Sequence, residues 1–342
     1  MRSRRVLASV AVFLTAAAVS SACSLGGPEP EADSRTVVLL THDSFAVRPE
    51  VLDAFRAESG IHVDVRKLGD AGKLVSQLVL TKANPLGDVA FGVDNTFASR
   101  ALNNDVFTEY TGPVAPGAER YDVDDTGRLA PVDVGDVCVN FDPAALAAKG
   151  LPEPTGLADL IDPRFKGLTV VEDPATSSPG LAFLLATVAT FDDGWTGYWQ
   201  SLRDNDVKVT SGWEEAYTQD FSGSSGKGPR PIVVSYASSP AAEGGATKAL
   251  LNTCFRQVEY AGVLAGKATD DTTTVVEFLQ SEKFQAEVAD QMYVYPVREG
   301  VALPAAWQSA APLPQQPTTL AADEIEAGRD GWVNQWRSLV QG

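Results

Sequence analysis

Side chains suited to covalent or metal chemistry are scarce in this sequence. Imidazole is limited to His42 and His62, and thiol to Cys23, Cys138 and Cys254. Zinc needs several such ligands converging on one point, and two separated histidines beside cysteines with other expected roles do not provide it. No metal site is expected. Paired carboxylates such as Asp43 and Asp94 are of the type that does acid and base work in a glycosidase-like cleft, although nothing else singles them out. Ser224-x-x-Lys227 has the spacing of a serine acyl-transfer motif, but it sits in the Gly-rich run Ser222–Arg230 without companion motifs and reads as a surface loop. The sequence has no nucleophile elbow, no phosphate-cradling Gly-Lys-Ser/Thr loop and no dinucleotide glycine fingerprint. Capture is therefore a better expectation than catalysis, and no cofactor is expected.

The elements that would position these residues follow an α/β rhythm. Thr36–Leu40 is a β-prone run leading into Thr41-His42-Asp43-Ser44-Phe45. Pro49-Glu50 then opens a helix, with Val51 and Phe55 on one face and Gly60 as its stop. Ile61–Val65 alternates as a strand, Ala71–Lys82 has helical spacing, and Asp88–Val93 is a third strand ending in Asp94-Asn95. The order βαβαβ implies a parallel sheet, whose ligands gather beyond the carboxyl ends of its strands. That rule puts His42, Asp43, Ser44, Asp94 and Asn95 at one cleft, the alternative for Asp43 and Ser44 being a turn or helix cap.

Two extended stretches, Pro131–Asp142 and Gln257–Ala265, bound an insertion with its own pattern. Strands are expected at Leu168–Val171, Val207–Val209 and Ile232–Ser235, and helices at Pro179–Thr190, Trp195–Leu202 and Glu214–Phe221. The expected architecture is α/β with two lobes, each a mostly parallel sheet flanked by helices, joined by a two-strand hinge. Lobe 1 would comprise residues 36–132 and 262–342, and lobe 2 residues 133–261. Helices are expected around Thr273–Leu279, Phe284–Asp290 and Ala321–Val340. In the last, Ile325, Trp332, Trp336 and Leu339 share a face that should dock on a lobe.

The chain has 342 residues, 44% of them apolar, which is more than one core usually holds. Its formal charge of −18 disfavours nucleic acid and anionic lipid as partners and welcomes a cationic small molecule. Three arginines precede the apolar run Val6–Val19, which leads to Ser20-Ser21-Ala22-Cys23. Residues 1–22 read as a secretory signal of the bacterial lipoprotein type, with Ser20 departing from the usual residue there. Cys23 would then be acylated, residues 23–35 would be a flexible linker, and the protein would be exported and held at the outer face of the cell membrane by that lipid alone. The alternative is ordinary cleavage nearby, with Cys23 a spectator and the protein periplasmic. With Cys23 so assigned, Cys138 and Cys254 remain as a pair expected to form a disulfide, the alternative being two separate buried thiols.

Six segments occur in an order and spacing that resemble one family. They are Thr41-His-Asp-Ser-Phe45, Gly92-Val-Asp-Asn95, Glu172-Asp-Pro-Ala-Thr-Ser-Ser-Pro-Gly180, Thr210-Ser-Gly-Trp-Glu-Glu-Ala-Tyr217, Val234-Ser-Tyr-Ala-Ser-Ser-Pro240 and Tyr293-Val-Tyr-Pro-Val297. From about Thr36 to the C-terminus the chain resembles the thiamine-binding proteins of ABC importers, within the superfamily of bacterial solute-binding proteins that also holds ferric-iron and polyamine binders. The resemblance implies a monomeric two-lobed protein that is not an enzyme, holds thiamine or a thiamine phosphate in its cleft and delivers it to importer permease subunits.

Thiamine carries a permanent thiazolium cation and an aminopyrimidine, so its site needs aromatic faces, a carboxylate and polar groups for the ring nitrogens. Trp213, Tyr236 and Tyr293 match aromatic positions of the family, and Asp94 with Asn95 matches its acidic loop. Asp43 or Glu172 would help to balance the cation. Ser177 and Ser178 stand at a helix start that suits a phosphate ester, or act only as a cap. His42, Ser44, Tyr217 and Ser239 complete the expected set. Tyr217 has a competing reading as core, and Tyr293 shares a strand face with Tyr295. His42 stands where the family often has tyrosine, and Ala242 where a further stacking tyrosine is common. The rival readings are a ferric-iron or polyamine binder and an exported thiamine-ester hydrolase.

Overall fold

The structure, a computed structural model, describes residues 35–123 and 126–342. The expected signal, Cys23 and the linker up to Ser34 lie outside the described residues. In chain order the strands are β1 (Arg35–Thr41), β2 (Ile61–Lys67), β3 (Val89–Asp94), β4 (Ala130–Val134), β5 (Val137–Phe141), β6 (Thr169–Glu172), β7 (Lys208–Thr210), β8 (Ile232–Tyr236), β9 (Lys248–Phe255), β10 (Val258–Val263) and β11 (Tyr295–Pro296). They form two sheets, ordered β11-β4-β10-β3-β1-β2 and β7-β6-β8-β5-β9, each flanked by helices.

The opening of the chain is set by local chemistry. β1 buries Val37, Leu39 and Leu40, and the helix Pro49–Ser59 begins with proline at its first turn. Gly60 ends that helix at φ 73°, its N–H reaching the Arg56 carbonyl at 2.8 Å. β1 pairs in parallel with β2 and β3, and β6 with β7 and β8.

The other pairs are antiparallel, so each sheet is mixed where a mostly parallel one was expected. Strand direction at the crossings explains the difference. β4 leads straight to β5 through Gly135-Asp136, and β9 to β10 through Arg256-Gln257. Strands that end in the loops between the sheets run toward the crossing, whereas β5 and β10 have just come through it and run away. β9 was not anticipated. It is an edge strand in which only Thr253, Cys254 and Phe255 are buried, so it shows no clean alternation.

The two crossings are tied side by side. The Gly135 N–H donates to the Gln257 carbonyl at 3.1 Å, and Arg256 Nη2 donates to Asp136 Oδ2 at 3.2 Å. Burial pushes the Asp136 carboxyl up to about 6 although Arg256 opposes the shift. Cys138 and Cys254 form a disulfide just beyond, joining β5 to β9.

The C-terminal helix Ala322–Val340 packs on the helix Trp195–Asp204 of the second sheet and on the helix Ala98–Asn103 of the first. Its buried residues are Ile325, Arg329, Val333 and Trp336, with Trp332 and Leu339 at the margin. The face is therefore rotated from the expected stripe, because Arg329 and Val333 fill the turns between Ile325 and Trp336. Trp336 meets Trp199 edge-on at 5.6 Å. No helix among the described residues is long and apolar enough to cross a membrane.

Candidate functional site

Loops leaving the carboxyl ends of β1 and β2 face the loop after β7 across a cavity of about 300 Å³. The first side contributes His42, Asp43, Ser44, Asp70 and Lys73, and β10 adds Glu259. The second side contributes Ser178, Ser211–Glu215, Gln219 and Tyr236. Five carboxylates (Asp43, Asp70, Glu214, Glu215 and Glu259) share this lining with one lysine. Such a concave acidic surface concentrates negative potential and attracts a cation.

Beneath the cavity, three acids stand in a row on neighbouring strands. Glu259 of β10 is directly opposite Asp94 of β3 on one side and Asp133 of β4 on the other. Asp94 is fully buried. Its Oδ1 accepts from Thr96 N at 2.7 Å, Thr96 Oγ1 at 2.6 Å and Phe97 N at 3.1 Å. Burial nevertheless raises its carboxyl to about 7, with Glu259 adding to the shift. Asp133 is also fully buried, neither of its oxygens has a hydrogen-bond partner, and burial followed by Glu259 holds it well above the usual carboxyl range.

His42 closes the row from above. Its Nε2 lies 3.2 Å from Glu259 Oε2. Burial alone would lower the imidazole, but the Glu259 carboxylate outweighs it and holds His42 above its ordinary value. The ring lies on Gly92, where φ is +96° and a Cβ would come within 2.1 Å of His42 Cδ2. Glycine in the middle of β3 is thus the condition for the histidine's position.

The aromatic wall is built from the second sheet. Trp213 begins a short helical turn, Trp213–Glu215, that widens into a π-helical turn over Ala216–Asp220 where one continuous helix was expected. Trp213 stacks on Tyr217 at 4.9 Å and 14° and also lines the cavity. The indole N–H donates to Ser235 Oγ at 2.8 Å, Ser235 Oγ meets Ser239 Oγ at 2.7 Å, and Ser239 Oγ accepts from Tyr236 N at 3.1 Å. Tyr236 stands 5.9 Å from Trp213, tilted by 53°.

The expected residues fall into groups. His42, Asp43, Ser44, Ser178, Trp213 and Tyr236 line the cavity. Asp94 supports its floor, while Tyr217 and Ser239 are buried behind its aromatic wall. Ser177 caps the helix Ser178–Phe191, accepting from Gly180 N at 3.5 Å. Glu172 is fully buried with both oxygens unpartnered, and burial followed by Asp70 holds it well above the usual range. Asn95 turns to the crossing, where it donates to the Arg256 carbonyl at 3.1 Å and accepts from Val258 N at 2.9 Å. Tyr293 is 40% exposed at φ 56°, and its carbonyl accepts from Ser238 Oγ.

Asp70 and Glu259 were missed. Asp70 follows Gly69 at the start of the helix Ala71–Leu80 and reads locally as a cap, yet it also leaves the carboxyl end of β2, the same rule that selected His42 and Asp94. Glu259 is a lone acid inside the apolar run Gln257–Ala265, which was itself the signal.

Two mixed sheets joined by paired crossings, with an acidic and aromatic cavity between their loops, define a solute-binding architecture. Residues 84–326 match the bacterial extracellular solute-binding protein family, and the chain belongs to that family. The thiamine-binding periplasmic protein of Salmonella typhimurium is 28% identical over 320 residues, covering 89% of this chain and 93% of the relative. A solved periplasmic thiamin binding protein matches with a TM-score of 0.76 and 27% identity, over 89% of this chain and 96% of that one. Iron-bound HitA from Pseudomonas aeruginosa shares the fold, with a TM-score of 0.68 and 18% identity over 89% of this chain and 99% of that one.

Proposed function

We propose that this chain captures thiamine, free or as a phosphate ester, outside the cytoplasm and hands it to an ABC importer without covalent chemistry. The observation that carries this reading is the cavity itself, lined by five carboxylates, of which Asp43, Asp70 and Glu259 stand on the side opposite the Trp213 indole and the Tyr236 phenol. A permanent cation with a flat heterocycle answers to both features, since stacking holds the ring and the acids balance its charge. Asp70, Glu259 and Asp43 act as the counterions, Trp213 and Tyr236 as the stacking faces, and His42 and Ser44 as polar partners. Asp94 tunes the floor, and Tyr217, Ser239 and Glu172 hold the wall behind. Ser177 caps the helix start at Ser178, whose N–H already donates to the Asp70 carboxylate at 3.2 Å, so the cavity favours free thiamine over its phosphate ester. Asn95 braces the crossing through its bonds to Arg256 and Val258, and the 40% exposed Tyr293 offers a further aromatic face.

Closure works by hinging at residues 135–136 and 256–257, with the lobes dividing there. The odd cysteine count and the basic-apolar N-terminus support export and lipid attachment at Cys23. Calorimetric titration with thiamine, thiamine monophosphate, spermidine and ferric citrate tests the assignment. Saturable binding of thiamine or its ester, with neither of the others competing, supports it. Tighter binding of spermidine or ferric citrate overturns it, as does phosphate release from thiamine monophosphate that is lost in Asp43→Asn.

A further inference from the structure

A second pocket lies away from this cavity, where the C-terminal helix faces the helix after β3 and the loop after β6. It encloses about 350 Å³ and brings together Arg100, Arg329 and Arg337. Arg100 comes from the helix after β3, Ala175 of the opposite wall from the loop after β6, and Arg329 and Arg337 from positions about two turns apart on the C-terminal helix. The helix tail is fastened to that same loop by Gln341 Nε2 donating to Asp173 Oδ2 at 2.9 Å.

The charge balance of this pocket is unusual for the chain. The protein as a whole carries −18, yet here three guanidinium groups share one lining carboxylate, Asp330, which is 83% exposed and pairs with Arg329 Nε at 3.1 Å. Among the described residues, the Arg100 and Arg337 side chains form no ion pair or hydrogen bond. Arg329 is 5% exposed and its Nη1 has no acceptor. A buried guanidinium with unsatisfied hydrogens is costly, and two further positive charges beside it raise the cost until an anion is supplied.

We propose that this pocket is a binding site for a small inorganic oxyanion of the phosphate or sulfate class. A tetrahedral oxyanion presents acceptors in several directions and suits guanidinium groups converging from separate elements. Because the walls come from the helix after β3, the loop after β6 and the C-terminal helix, the bound anion holds those three elements together. Its site is separate from the acidic cavity, whose charge repels anions.

Thermal unfolding of the full chain in potassium phosphate, potassium sulfate and potassium chloride at matched pH and ionic strength tests the proposal. Phosphate or sulfate at about ten times its Kd should raise Tm by roughly 2–5 °C over chloride. The double variant Arg100→Gln/Arg337→Gln changes exposed and half-exposed side chains, should fold, and should lose this oxyanion-specific rise while binding thiamine in chloride as the parent does. Trp213→Ala, altered only in the main cavity, should keep it. Equal Tm in all three salts overturns the proposal and points to an acidic segment of a protein partner as the counter-charge. A full rise retained in the double variant also overturns it, by placing the anion elsewhere.

Discussion

Asp70 and Trp213 are joined across the two sheets: Asp70 Oδ2 accepts from the Trp213 backbone N–H at 2.9 Å. Its other oxygen accepts from Ser178 N at 3.2 Å and from Ala71 N at 2.6 Å. One carboxylate thus caps its own helix on the first sheet and satisfies two helix starts on the second, while facing the cavity.

Replacing Asp70 separates these duties. Asp70→Ala should lower unfolding stability by about 0.5–2 kcal/mol through the lost cap. Asp70→Asn keeps an acceptor but removes the charge. Its amide nitrogen cannot accept on the second side, so stability should fall less than in Asp70→Ala but stay below the parent's, while thiamine binding weakens about tenfold, ~1.5 kcal/mol. Chemical denaturation and calorimetry on the same samples read the two effects.

Trp213→Ala should weaken thiamine binding by roughly 0.5–2 kcal/mol, the range for a stacked cation on an aromatic face. Trp213→Phe, which keeps a ring but not the N–H that reaches Ser235 Oγ, should recover part of the loss. Quenching of tryptophan fluorescence on titration should be reduced in both variants.

The acid row gives binding a pH dependence of definite sign. Asp94 titrates at about 7 in the folded chain against 3.8 for an unperturbed group. The folded chain therefore keeps a proton that the unfolded chain has lost between roughly pH 4 and 7. This contribution to stability is fully present at low pH and disappears as pH rises through 7. A cation above Glu259 favours the ionised form of Asp94, so thiamine binding should release protons at about pH 6, and affinity should rise toward pH 7.5 and then level. Titrations in buffers of different ionisation enthalpy measure that release, and Asp94→Asn should reduce it.

The Cys138–Cys254 disulfide closes a loop with a sequence separation of 116 beside the crossings. Cys138→Ser/Cys254→Ser should cost about 2–5 kcal/mol of unfolding stability. Because the bridge lies within the second sheet, on β5 and β9, thiamine affinity at low temperature should change less than twofold. Denaturant unfolding and calorimetry on the double variant check both statements.

Much of this molecule was legible before its coordinates, and the limits have physical causes. β1 to β3 and their helices announce themselves through Pro49, Gly60 and the buried alternation of Val37 and Leu39, because local rules decide them. The direction of β10 did not, since it depends on which sheet the chain has just left. β9 escaped because an edge strand with Asn252 and Lys248 facing solvent has no apolar period. His42 was found from its place in the loop after a strand, and Trp213 from its match to aromatic positions of the resembled family. Asp70 and Glu259 were not, because a helix cap and a strand residue look ordinary until Trp213 and His42 are brought against them.

A crystal structure of the chain with thiamine bound tests the central claim most directly. The account predicts thiamine density in the cavity, with one ring against the Trp213 indole and the thiazolium within reach of the Asp70 or Glu259 carboxylate. Density for thiamine elsewhere, or rings lying away from Trp213 with no acid near the cation, would contradict it.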